Sequence, residues 1–275
     1  MSSDERLVAW LEEQARAIRR SVVEMICNAG SGHPGGGLSA VEIMTVLYFH
    51  VLRIDPARPQ WEERDRFVLS KGHGSAVWYA TLGARGYFSP EAFKRFRQTG
   101  GMPQGHPDMR KVPGVDMSSG SLGQGISAAL GMALAARYLN RNYRVYVLLG
   151  DGETQEGQVW EAAMAAAHYR AGNLTAILDY NRVQLDGPVG EVMEIEPVAD
   201  KWRAFGWAVI PCADGHSIPC LLAAFAQARA VQGQPAIIIA RTVKGKGVSF
   251  MEHQSSWHGV SDPSRMPDAV KEVCK

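Results

Sequence analysis

Two apolar runs in this chain end in residues suited to holding a hard cation. Val145 to Leu149 leads into Gly150-Asp151-Gly152, and Leu174 to Asp179 leads into Tyr180-Asn181, with Asn181 thirty residues after Asp151. That interval is about one strand–helix–strand unit, which puts both polar residues at one edge of a sheet. If the two strands are neighbours they lie about 4.8 Å apart, so a carboxylate and an amide can converge on one ion. Oxygen ligands favour magnesium or calcium over zinc, and magnesium usually shares its ligands with a phosphate. A helix beginning at Gln155 would offer free backbone N–H groups to that anion, and Gly150 and Gly152 let the backbone come close. A plain strand-end turn accounts for Gly-Asp-Gly equally well, and Asn181 could be a cap.

The second chemical feature is histidine. Four of the eight sit beside glycine in loop-like stretches: Gly32-His33-Pro34, Gly72-His73-Gly74, Gly105-His106-Pro107 and Trp257-His258-Gly259. A neutral imidazole can donate to a phosphate or a polar substrate and exchange protons near neutral pH, which an unperturbed carboxylate does poorly. One such histidine is an ordinary surface loop residue, and His216 after Gly215 reads that way; four together need another account. His50, His168 and His253 are assigned to structure.

The elements that must position these residues follow from periodicity. Leu7, Leu11, Ala15, Ile18, Val22 and Ile26 mark one amphipathic helix over the first 28 residues, stopped by Gly30 and Gly32. Ser39 is expected to cap a second helix running to about Val51. A short strand at Arg66–Leu69 and a helix at Ser75–Ala84 come next, then a Gly-, Pro- and Ser-rich loop from Gly100 to Gly125. From there helices alternate with continuous Val/Ile/Leu strands: helix to Leu139, strand Arg144–Leu149, helix Gln155–Arg170, strand Leu174–Asp179. Helix Val198–Phe205, strand Trp207–Pro211, helix Ile218–Ala230 and strand Ala236–Ala240 complete the pattern. This predicts an α/β fold with an open, mainly parallel sheet, helices on both faces and right-handed crossovers. No repeat or linker divides the chain, so residues 1–275 are expected to form one domain.

Composition excludes several classes. The 275 residues are 46% apolar, with 29 Lys plus Arg against 28 Asp plus Glu, so neither a disordered tail nor a polybasic nucleic-acid arm fits. Cys27, Cys212, Cys220 and Cys274 form no C-x-x-C pair, which argues against a zinc site and for reduced thiols in a cytoplasmic protein. No signal sequence is visible, and the small-residue run Gly125–Ala136 is about half the ~20 residues of a membrane span.

Taken together, the motifs resemble the N-terminal, thiamine-diphosphate-binding part of transketolases. Ser31-Gly32-His33-Pro34, Ser70-Lys71-Gly72-His73-Gly74-Ser75, Gly105-His106-Pro107, Gly120-Ser121-Leu122-Gly123-Gln124-Gly125, Gly150-Asp151-Gly152 with Asn181, Lys244-Gly245-Lys246-Gly247 and Trp257-His258-Gly259 stand in that family's order. The resemblance implies that Asp151, the Asn181 side chain and the Val183 carbonyl hold Mg2+ or Ca2+ on the two phosphates of thiamine diphosphate. It implies that His73 and Gly152 contact the diphosphate and that Gly120 and Leu122 lie along the aminopyrimidine and thiazolium. Leu185 would pack on the thiazolium, with Lys244 and His258 approaching the cofactor. His33, His106 and His258 would bind sugar hydroxyls and shuttle protons while a two-carbon ketol unit passes from a ketose phosphate to an aldose, the bound cofactor accepting electrons as the C–C bond breaks.

The family's pyrimidine-binding and C-terminal domains have no counterpart here, and the sequence ends soon after Trp257-His258-Gly259. The resemblance therefore implies the first subunit of a split transketolase: a partner chain carrying the pyrimidine-binding domain supplies the missing glutamate, two copies of each chain assemble, and this chain alone is nearly inactive. Glu156 would belong to the dimer contact, or would be an acid favoured at a helix N-terminus. Competing readings are another thiamine-dependent enzyme, such as a 2-oxo acid dehydrogenase component or a deoxyxylulose-phosphate synthase, and a non-catalytic cofactor-binding protein. The His33, His106 and His258 set favours transketolase. No nucleic-acid or membrane partner is expected.

Overall fold

The computed structural model describes residues 2–260 and 262–274. The first helix, α1 (Ser3–Ala29), opens on a capping box between Ser2 and Glu5 and closes on Gly30 in the left-handed conformation, φ 59°. It buries Leu11, Ala15, Ile18, Val22 and Ile26, the stripe expected from their spacing. The next segment differs from expectation. Ser39 is not an N-cap: it closes helix α2 (Pro34–Leu38), which begins on proline, α3 (Val41–Val46) follows from Ala40, and a π-turn covers Leu47–Val51. The Ser39 hydroxyl instead bonds the Gly36 carbonyl and Asp179, 140 residues away, so a tertiary bond has displaced the local capping preference.

Strand β1 (Arg66–Leu69) and helix α4 (Ser75–Ala84) come next, then the long loop, then α5 (Gln124–Tyr138) and β2 (Val145–Gly150). Helix α6 (Gly157–His168), β3 (Leu174–Tyr180), the single turn α7 (Val189–Val192), α8 (Val198–Ala204) and β4 (Ala208–Cys212) follow. Helix α9 (Ile218–Ala230), β5 (Ala236–Arg241) and α10 (Met266–Val273) complete the chain. The five strands pair in the order β1-β2-β3-β5-β4, all parallel. Each central strand is apolar on both sides because each side meets a core. Tyr146 and Leu148 enter one core, with residues of α1, α3, α4, α9 and α10. Val145, Val147 and Leu149 enter the other, with residues of α5, α6 and α8. The expected architecture is thus present, and its sheet is wholly parallel.

Among the described residues no helix is long and apolar enough to cross a membrane. All four cysteines are free, although the Cys212 and Cys220 sulfurs lie 2.9 Å apart. His216 is not a bland surface residue: Nδ1 lies 2.8 Å from Glu42, and Nε2 accepts from the Val243 amide, tying α3 to the segment that carries Lys244.

Two glycines of α5 separate close approach from mere composition. A Cβ on Gly125 would lie 2.5 Å from Ser70 Oγ and 2.7 Å from its Cα, whereas nothing lies within 4 Å of one on Gly131. Gly125→Ala should destabilise the chain by about 1–3 kcal/mol through overpacking. Gly131→Ala should stabilise it by about 0.5–1 kcal/mol through lost chain entropy. Urea unfolding of both variants checks the pair, and midpoints shifting the same way would contradict the close packing of α5 on the end of β1.

Candidate active site

Strands β2 and β3 are neighbours, with Gly150 opposite Asp179, so the residues just beyond them meet at the carboxyl edge of the sheet. A cleft of ≈ 780 Å³ opens there, lined by Asp151, Gly152, Asn181, Val183, Leu185, Leu122, His73, Lys244 and His258 among others. Nine of the twelve residues anticipated for the site therefore share one cavity wall. The other three, His33, His106 and Gly120, lie beside it. The His33 ring is 5.5 Å from His73, 5.6 Å from His258 and 6.2 Å from His106. Gly120 backs onto His106, where a Cβ would come within 3.2 Å of the ring.

Backbone and side-chain bonds knit the four histidine loops together. The Val260 amide donates to the Gly32 carbonyl and the Gly245 amide to Gly35, both at 3.0 Å, which fixes the His258 and Lys244 segments over α2. Lys71 Nζ donates to the Gly36 carbonyl at 2.7 Å. Ser75 Oγ donates to the Gly105 carbonyl at 2.8 Å, and the Tyr79 hydroxyl to the His106 carbonyl at 3.1 Å, holding the third loop against α4.

Two buried acids with no anticipated role support the site from below. Asp179, fully buried, pairs with Lys71 and accepts from Ser39, Thr242 and Asn181 Nδ2. Burial pushes its carboxyl up, but the Lys71 charge and these bonds outweigh burial and hold it below the usual carboxylate range. Glu153 accepts from Ser70 Oγ at 2.5 Å and from the Gly123 and Gly150 amides at 2.9 and 3.0 Å, joining the ends of β1 and β2 to the start of α5. Their partners lie far off in sequence; the runs Ser70-Lys71 and Gly150-Asp151-Gly152-Glu153 were the only local signals. The expected helix start at Gln155 is corrected too: residues 152–155 form a 3-10 turn and α6 begins at Gly157, with the exposed Glu156 as its N-cap. The first amides beyond Asp151 therefore belong to a tight turn, and Gly152 N already donates to Asp151 Oδ1 at 2.8 Å.

The donor set fits a hard cation shared with an anion. The Asp151 carboxylate, Asn181 Oδ1 and the Val183 carbonyl are all oxygens on buried residues lining the cleft, while no group of three His, Cys, Asp or Glu among the described residues could hold a metal unaided. A cation already stands on one of these oxygens: Lys244 Nζ donates to the Val183 carbonyl at 2.8 Å and lies 3.0 Å from His258 Nδ1. Burial and the nearby Asp179 charge push the Asp151 carboxyl up to about 6, a cost that a bound cation would remove. Burial, with the Lys71 charge, lowers Lys244 to about 8. The imidazoles are kept neutral. Burial first, then the charges of Arg97, His106 and Lys244, lowers His33 to about 4; burial and Lys244 lower His258 to about 3. His33 Nδ1 is buried without a partner among the described residues. The arrangement can bind a metal-complexed anion and present neutral hydrogen-bonding rings beside it.

An open parallel sheet with such a cleft at its strand ends defines a cofactor-phosphate-binding α/β protein. The match to known proteins is more specific: the model for the transketolase thiamine diphosphate binding domain covers residues 11–271, and the chain belongs to that family. It is 47% identical over 250 residues to the 6-deoxy-6-sulfo-D-fructose transketolase subunit SqwG of Clostridium sp. (strain MSTE9), covering 91% of this chain and 90% of that one. It is 42% identical to one of the subunits of the apulose-4-phosphate transketolase of Phocaeicola vulgatus, over 97% of this chain and 94% of the relative. The human transketolase is 41% identical over 97% of this chain, which spans only 42% of that protein. The transketolase structure from Leishmania mexicana superposes with a TM-score of 0.89 at 33% identity, over 95% of this chain and 41% of that one.

Two outcomes follow from these electrostatics. Lys71→Met leaves Asp179 buried without its counter-charge and should cost about 3–5 kcal/mol in urea unfolding, of which Lys71→Met/Asp179→Asn should recover at least half. A single variant that unfolds with the wild type would show that the pair bears no stability. His33 contributes in the acid range. Its folded value of about 4 lies below the ordinary 6.5, so its contribution is intact above pH 6.5 and is lost as pH falls towards 4, where the unfolded chain takes up the proton. Asp151, raised to about 6, acts in the opposite sense, so the measurement is a difference: stability of His33→Gln should fall less than wild type between pH 6.5 and 4.5. Parallel curves would contradict a buried neutral His33.

Proposed function

We propose that this chain is the cofactor-binding subunit of a two-chain transketolase, forming one thiamine-diphosphate-binding domain over residues 1–275. The observation that carries this is the convergence of four histidine loops on a cleft whose oxygen donors come from two adjacent strand ends. Asp151, Asn181 and the Val183 carbonyl hold Mg2+, with Ca2+ as a substitute, against the diphosphate. His73 and the Gly152 backbone contact the phosphates, and Leu122, Leu185 and Gly120 shape the surface for the two rings. Lys244, held between the Val183 carbonyl and His258 Nδ1, would supply positive charge beside the bound anion. When bound, thiamine diphosphate supplies the electron sink for cleaving the ketose C–C bond. The chain's own part is to bind sugar hydroxyls through His33, His106 and His258 and to move protons at their ring nitrogens. With Lys244 as donor, His258 Nδ1 is the acceptor, which leaves its Nε2 protonated towards a substrate.

The two subunit relatives, matched over nearly their full length, support a partner chain that carries the pyrimidine-binding domain, and we place two copies of each in the active particle. Their names also support a ketose substrate outside the common pentose phosphates, either a sulfonated ketose or a branched ketose phosphate. Free thiols suit a cytoplasmic setting.

Co-purified with a pyrimidine-domain subunit, the chain should transfer a ketol unit between ketose and aldose phosphates, and either chain alone should be nearly inactive. Asp151→Ala should weaken thiamine diphosphate binding by at least the roughly 10–100-fold that loss of an outer-shell metal partner costs. Decarboxylation of a 2-oxo acid by the mixture, without ketol transfer, would move the chain to another thiamine-dependent class.

A further inference from the structure

We propose that the side-chain amide of Gln184 is a donor to the cofactor's diphosphate, an inference that rests on the thiamine diphosphate reading above. Gln184 stands in a small antiparallel turn held by its backbone: Val183 bridges Pro188, the Gln184 amide donates to the Gly187 carbonyl at 2.9 Å, and Val189 N donates to the Arg182 carbonyl at 2.9 Å. The turn thus uses the main chain of Gln184 and makes no demand on its side chain. That side chain lies over Gly152, where any Cβ would come within 3.0 Å of Gln184 Cβ, and it lines the cleft beside Asp151, Asn181 and Val183.

Its Nε2 is buried and has no hydrogen-bond partner among the described residues. A buried donor left unpaired is costly, and an apolar side chain of the same shape would avoid that cost. Asp151 does not satisfy it: the carboxylate oxygens accept from the Gly152 and Arg182 amides and receive nothing from Gln184. A ligand that offers an acceptor is therefore the complement, and pyrophosphoryl oxygens are strong ones. Position favours the diphosphate over the sugar: Gln184 lies over Gly152 and lines the cleft with Asp151, while His33 and His106 are outside that lining, His33 packed on His73 and His258 and His106 beside His33. A neutral donor also binds the anion without adding a third positive charge beside Lys71 and Lys244.

The test is calorimetric titration of the intact chain, alone and with its pyrimidine-domain subunit, using Mg2+ with thiamine diphosphate, inorganic pyrophosphate and unphosphorylated thiamine as probes. Gln184→Met keeps the shape and removes the donor; it should weaken thiamine diphosphate and pyrophosphate by about tenfold and leave thiamine unchanged. Gln184→Lys restores a donor and should recover the loss. The ligand-free Gln184→Met chain should unfold at or above the wild-type urea midpoint, which a structural role would lower. Wild-type binding of the phosphate probes with equal binding by Gln184→Met overturns this inference alone. Equal weakening for thiamine and its diphosphate also overturns it. A wild type that binds neither phosphate probe overturns the cofactor reading together with it.

Discussion

The buried pairing of Asp179 with Lys71 is the constraint on which the rest of the site depends. Two charges removed from water are expensive unless each finds partners on every side, and here they do. Asp179 accepts from Lys71, from Ser39 at the joint between α2 and α3, from Thr242 just beyond β5 and from Asn181. Lys71 in turn holds the Gly36 carbonyl. Three chain segments that share no sequence neighbourhood are thereby fixed against the end of β3. The amide of Asn181 is oriented by the same acid: with Nδ2 donating to Asp179, its Oδ1 is left as the acceptor, and that is the atom a cation requires. A network satisfied this completely has few alternative arrangements, and it ties the loops of the cleft to the strands below.

Much of this was legible in the sequence, for identifiable reasons. The pairing of Asp151 with Asn181 could be read because a strand–helix–strand unit has a narrow length, so an interval of thirty residues becomes adjacency in space. The sheet could be read because strands covered on both faces must be apolar throughout. The supports could not. Ser39 is an excellent N-cap by type, and only a partner 140 residues away takes it out of that role. Glu153 resembles any acid near a helix start, and its value lies in Ser70, 83 residues earlier. Flanking glycines marked the four histidines as exceptional, but their convergence depends on Gly32–Val260, Gly35–Gly245 and Ser75–Gly105 contacts that no local pattern encodes.

The electrostatics of the cleft make metal and anion mutually dependent. Asp151, desolvated and close to Asp179, faces the region where a diphosphate would lie, so the anion alone meets a carboxylate that repels it. A divalent cation alone must take the Val183 carbonyl from the Lys244 ammonium and then stand beside that charge. Bound together, the cation would offset Asp151 and the anion would meet the charge of Lys244, so each would ease the other's principal penalty. Linkage requires the effect to be reciprocal: whatever factor the metal adds to the affinity of the diphosphate, the diphosphate adds to that of the metal. Lys244 is one cause of the low values of both His33 and His258, after burial. The neutral histidine cluster of the cleft is therefore first a product of burial, to which the charge of Lys244 adds at His33 and His258.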